Sequence, residues 1–224
     1  MDLVERTSPN GAFAALRRFA PAGKVVERCD FCSAELGEVH QHLIEPEQRR
    51  LVCVCDACAI LFGNRGETSY RRVPRRILYL SDFRLTDAQW EGLLIPIQLA
   101  FFFHSSPTGR VVALYPSPAG PTESLLDLAM WDEIARDNPA LERMSSDVEG
   151  LLVNRTGRAA GAPDYFIAPI DECFRLVGLI RANWRGLSGG EEVWKEIGWF
   201  FADLKTRSYE VREEAPRAGN EIRD

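Results

Sequence analysis

The chain has 224 residues, of which 46% are apolar and 27% charged, and a net charge of −6. That is the make-up of a soluble globular protein with a sizeable core, as one large domain or as a domain plus a small module. The longest apolar stretch, Leu93 to Phe103, contains Pro96 and Gln98 and is too short to span a bilayer, so no membrane partner is expected.

Residues 1–24 read as a lead, with a short helix over 10–20 that carries Phe13, Leu16 and Phe19 and is ended by Pro21 and Gly23. The opening residues are polar and mixed in charge, unlike a signal peptide. Residues 25–63 form a cysteine-rich module. Cys29 and Cys32 make one C-x-x-C pair, Cys55 and Cys58 a second, with 22 residues between them. Each pair suits a tight turn that aims both sulfurs at one ion, and two such turns supply a tetrahedral four-sulfur site. Between the pairs, HQHLI and RRLVCV read as strands joined at EPEQ, and DACAILF as a helix. Turn, hairpin and helix in that order describe a treble-clef or zinc-ribbon-like unit.

The expected ligands are Cys29, Cys32, Cys55 and Cys58, holding a structural zinc. Cys53, His40 and His42 stand nearby as additional or outer-sphere metal groups, and the histidines can donate N–H to a ligand sulfur. Rubredoxin-type iron or an iron–sulfur cluster on the same thiolates is the redox alternative. Ser33 and Ala59, where a rubredoxin carries glycine, count against the iron site. Cysteines at metal spacing in a chain without an export signal lead us to expect a reducing, cytoplasmic setting.

Residues 64–76 are rich in arginine and read as a solvated linker, or a docking patch for an acidic partner. Residues 17–76 carry 11 Lys and Arg against 8 Asp and Glu, whereas the rest carries 16 against 25. The modest basic excess allows nucleic-acid contact through the zinc module, but the acidic body argues against it.

Residues 77–207 read as an α+β domain, with a mixed, mainly antiparallel sheet packed by helices. ILYL is a short strand, and Thr86 caps a short helix. IQLAFFF has the continuous apolar character of a strand covered on both faces, and RVVALYP returns beside it. A helix is expected from Thr122 to Arg136, then strands at DVEGLLVN and YFIA. Asp171 is expected to cap a helix that buries Cys173, Leu176, Val177 and Ile180. Ser188 with Glu191 predicts a capping box for a last helix, whose stripe is Val193, Ile197, Phe200, Phe201 and Leu204. Residues 208–224 read as a disordered tail.

Other chemistry is sparse. Asp147 with Glu149, and Asp171 with Glu172, are the paired carboxylates, with no histidine near them in sequence. Arg185, Gly189 and Gly190 lead into a helix N-terminus that could hold an anion. No serine or cysteine nucleophile arrangement stands out, and the residues suggest no catalytic group.

The paired cysteines with His40-Gln41-His42-Leu43, the Cys53 to Phe62 run, the Tyr115 to Gly120 turn and the Trp184 to Trp194 stretch together resemble an uncharacterised bacterial family, domain-of-unknown-function family 5947. The resemblance covers roughly residues 25–207. Members of that family are often encoded beside nickel–iron hydrogenase genes. The resemblance therefore implies an accessory role in hydrogenase maturation, assembly or electron transfer, with a hydrogenase subunit or maturation factor as protein partner. It supplies no catalytic residue.

Overall fold

The computed structural model describes residues 26–63, 69–124, 128–156, 162–186 and 189–212. The helix expected over 10–20 lies outside them. Strands β1 (Gln41–Glu45) and β2 (Arg50–Val54) form the expected hairpin, closed by Arg49 at a φ of 51°. Helix α1 (Asp56–Phe62) follows at once, with Cys55 as its N-cap residue. A third strand, β3 (Arg71–Arg72), pairs antiparallel with β1, so this small sheet has the order β2-β1-β3.

The arginine-rich segment thus differs from a solvated linker over its described part. Arg72 donates to Gln41 Oε1 and Arg75 to the His40 carbonyl, at 3.0 and 3.1 Å. Arg71 and Arg76 reach forward to two buried carboxylates of the body, Asp147 and Glu149, at 3.1 and 2.6 Å. The acidic partner of these two arginines lies within the same chain. The same contacts explain Asp147 and Glu149, which hold arginines rather than stand as an acid–base pair.

The body is a seven-stranded sheet with helices on both faces, which bears out the α+β class and its mainly antiparallel pairing. Its strands are β4 (Leu78–Leu80), β5 (Leu99–Ser105), β6 (Arg110–Ser117), β7 (Gly120–Glu123), β8 (Glu149–Asn154), β9 (Asp164–Pro169) and β10 (Tyr209–Val211). Their spatial order is β10-β4-β9-β8-β5-β6-β7, antiparallel throughout except that β10 runs parallel to β4. Helices α2 (Asp87–Gly92) and α3 (Leu128–Asp137) cover one face. Helices α4 (Ile170–Asn183) and α5 (Gly190–Thr206) cover the other.

Alternation along the strands divides the side chains between these layers. Phe101, Leu114, Leu152 and Phe166 lie in register across β6, β5, β8 and β9 and pack with Leu176, Ile197 and Phe201. One residue on, Phe102, Leu151 and Ile167 face Trp90 and Trp131. The apolar run of β5 is therefore buried on both faces, as its sequence implies, although the sheet around it is antiparallel. Each such side chain contributes about 1.5–3 kcal/mol by leaving water. Thr86 caps α2 in a full capping box with Gln89.

Four expectations are corrected. Thr122 belongs to β7, not to a helix: Gly120, at a φ of 125°, turns the chain back from β6, and α3 starts at Leu128. Asp171 is not the cap of α4; Pro169 holds that position, and Asp171 lies within the first turn. The cap residue of α5 is Gly189, at a φ of 86° and without a side-chain cap, while Ser188 lies outside the described residues. Residues 209–211 of the supposed tail form β10. Residues 213–224 lie outside the described residues.

The β1–β2 hairpin has two working faces. Leu43, Val52 and Val54 pack with Cys29 and Cys58 in a cluster of their own. Ile44 on the opposite face, with Val73, joins the apolar core of the body, and Leu51 packs against it.

Candidate metal centre

The first cysteine pair sits in a narrow turn. Ser33 N–H donates to the Cys29 carbonyl at 2.8 Å, and Ser33 has a φ of 60°. That backbone conformation is the one glycine adopts at least cost. Ser33 thus occupies the glycine conformation of such a turn, and the absence of glycine there no longer counts against an iron site. The turn is tied to β2 twice: Asp30 N–H donates to the Cys53 carbonyl at 2.9 Å, and Cys53 N–H to Asp30 Oδ2 at 2.6 Å. The second pair is set by α1, with Cys55 at its N-cap and Cys58 in its first turn.

These turns gather four sulfurs. The Sγ atoms of Cys29, Cys32, Cys55 and Cys58 all lie within 4.8 Å of one another, and Cys32 and Cys55 are 3.7 Å apart. A tetrahedral ion with metal–sulfur bonds of about 2.3 Å separates its sulfurs by about 3.8 Å. A multi-iron cluster interposes its own iron and sulfide atoms and holds its thiolates farther apart. The arrangement fits one ion.

The electrostatics agree. Burial alone would raise the Cys29 thiol, but the backbone N–H groups of Cys55, Cys32 and Phe31 bring it down to about 6. Cys58 is pushed up to about 12 by burial and by the neighbouring sulfurs of Cys55, Cys32 and Cys29. One thiolate forms readily here and four together require a cation, whose charge deprotonates its thiol ligands.

The structure does not bring Cys53, His40 and His42 to these sulfurs. They form a second cluster, their ligand atoms within 4.8 Å of one another. The pleat explains why: His42 pairs directly with Cys53 across the hairpin, on the face turned to the body along with Ile44 and Leu51. Cys55, which strand alternation would place beside Cys53, lies beyond the end of β2, and its sulfur follows the helix cap instead. The histidines' Nδ1 atoms do not serve a ligand sulfur. His40 Nδ1 lies 2.9 Å from the Gly37 carbonyl, and His42 Nδ1 2.7 Å from Asp171 Oδ2. The role of Asp171 is invisible to sequence reading, because 129 residues separate it from His42.

Arg185, Gly189 and Gly190 meet in a tight entrance to α5. Arg185 N–H donates to the Gly189 carbonyl at 3.0 Å, and its guanidinium to the Ala182 and Trp184 carbonyls. A side chain at Gly189 would run into Val193 and Trp184. Glu191 and Glu192 already place negative charge at this helix end. Cys173 is fully buried and His104 exposed.

No helix among the described residues is long and apolar enough to cross a membrane. A family model described as "Family of unknown function (DUF5947)" matches residues 28–208. No curated protein matches the chain, and no solved structure does.

Proposed function

The chain belongs to the DUF5947 family, and we propose from its own residues that it is a metal-binding accessory protein, non-enzymatic, which works through contacts with another protein. The observation that carries this reading is the four-sulfur cluster at single-ion spacing, built into a module whose other face packs Ile44 and Val73 into the apolar core of the body. Its ion is a structural zinc on Cys29, Cys32, Cys55 and Cys58. The ion fixes α1, which leaves Ile60 and Leu61 exposed beside the site. Helix α5 leaves Trp199 exposed on its outer face and Trp194 half-exposed on its flank, against Trp184. Apolar residues set out in this way favour a protein partner.

The partner we propose is a nickel–iron hydrogenase subunit or a maturation factor, the role implied by the family resemblance, in a reducing cytoplasm where the thiols stay available. A mononuclear iron on the same sulfurs is the second reading: Ser33 holds the glycine conformation in the first turn, whereas Ala59, the matching position of the second pair, is helical in α1. Elemental analysis with absorption spectra of anaerobically purified protein decides between them. A colourless protein with zinc supports the first, and thiolate-to-iron charge-transfer bands support the second. Deleting the gene in a host with an active hydrogenase should lower that activity; unchanged activity would refute the partner.

A further inference from the structure

We infer that His40, His42 and Cys53 hold a second metal ion, separate from the four-sulfur ion. Their ligand atoms lie within 4.8 Å of one another, and the rings of His40 and His42 stand edge to face at 4.8 Å. Both Nδ1 atoms are already engaged. His42 Nδ1 donates to Asp171 Oδ2 at 2.7 Å, and His40 Nδ1 to the Gly37 carbonyl at 2.9 Å, with Glu27 Oε2 at 3.5 Å. This is the arrangement by which a carboxylate or carbonyl fixes the tautomer of a metal-binding histidine and leaves the Nε2 lone pair for the metal.

A second observation points to the ligand. The His40 side chain is only 9% exposed, and its Nε2 is buried without a hydrogen-bond partner. A buried imidazole nitrogen left so costs free energy unless an ion or a water meets it. Cys53 supplies the third donor from the facing strand, directly opposite His42.

Two imidazoles and one thiolate suit a borderline divalent ion of the late first row, Zn²⁺ or Co²⁺. Three protein ligands leave one tetrahedral position for water or an incoming donor, unlike the closed four-sulfur site. His40, His42 and Asp171 also line an open cavity of about 500 Å³, in whose wall Arg175 and Arg207 are paired with Glu172 and Asp203, so an incoming donor has a way to the ion.

Metal counting on the full-length protein tests this. Native mass spectrometry in excess Zn²⁺ should read two ions on the wild type and one on Cys53→Ser and His42→Ala. Cys55→Ser should lose the other ion, so failure of the four-sulfur reading and failure of this one are distinguishable. Asp171→Asn, which keeps the side-chain shape, should weaken the second ion by about 10–100-fold. Co²⁺ at the second site should give a thiolate-to-cobalt band that Cys53→Ser removes, while the four-sulfur zinc remains as a check on folding. One ion on the wild type, two on Cys53→Ser, or unchanged affinity in Asp171→Asn would overturn the assignment.

Discussion

Arg76 clasps Glu149 with two parallel hydrogen bonds, Nε to Oε1 at 2.6 Å and Nη2 to Oε2 at 2.8 Å, and the carboxylate it holds is fully buried. Ser145 N–H adds a third at 2.9 Å. Removing the guanidinium leaves a buried charge without its counter-ion. Arg76→Met should therefore destabilise the protein by about 3 kcal/mol, at the low end for a buried pair because Arg76 is itself half exposed. Arg76→Lys should recover only part, since an ammonium lacks the planar fork. Urea unfolding of the three proteins at neutral pH checks this.

The same pair sets an acid limb. Burial alone would raise the Glu149 carboxyl, but Arg76 and the Ser145 N–H more than offset that and hold it below the ordinary glutamate range. A carboxyl depressed in the folded state stabilises fully above its unfolded value, about 4.3, and its contribution is lost as pH falls through the folded value. Glu149→Gln should be less stable at neutral pH, and its stability should fall less steeply than the wild type's below about pH 4.3. Parallel stability curves would show this account of the Glu149 carboxyl to be wrong.

Chelation should expose the four sulfurs in sequence. With metal bound, thiol reagents should react slowly throughout residues 26–63. After chelation, Cys32, the exposed member of the cluster, should label first. Cys173 is fully buried, and burial pushes its thiol well up, so it should label only on global unfolding. Mass mapping of labelled peptides reads the order, and early labelling of Cys173 would contradict the packing of α4.

Helix α5 offers a contrast within two residues. Phe200 is 4% exposed, lies edge to face with Phe201 at 5.3 Å and carries the Arg175 guanidinium over its ring at 4.7 Å. Phe200→Ala should cost about 3–5 kcal/mol. Trp199 is 62% exposed, and Trp199→Ala should change stability by no more than about 0.5 kcal/mol. Chemical denaturation of both variants is the measurement. A loss of a partner's affinity in Trp199→Ala without loss of stability would mark its face as a contact.

What the sequence made legible was local. The hairpin between the cysteine pairs follows from apolar alternation around a polar turn, and β5 from an apolar run too short for a buried helix. The capping box at Thr86 involves two residues three apart. What it hid were relationships across the chain. Five arginines in a row of loop residues read as solvated, because their charge gives no hint of Asp147 and Glu149. Asp171 has the right type and place for a helix cap, yet its partner is His42. Nothing beside Arg155 in the sequence signals that it is buried, pairs with Asp87 and lies over the Trp90 ring at 5.2 Å. Strand alternation puts Cys53 and Cys55 on one face, and the structure separates them because β2 ends at Val54 and the helix cap governs Cys55.

Strand β10 has a consequence in time as well as space. It lies along β4, which precedes it by more than half the chain, and Tyr209 N–H donates to the Ile77 carbonyl at 2.9 Å. During synthesis the chain emerges from its N-terminal end, so β4 is made long before its outer neighbour exists. The pairing of β4 with β9 and then with β10 spans long loops, whose closure entropy slows folding. Until residue 211 is free of the ribosome, that edge of the sheet stands open. Over that interval β4 is open to strand-to-strand association, and a truncation that removes Tyr209–Val211 makes that passing state permanent.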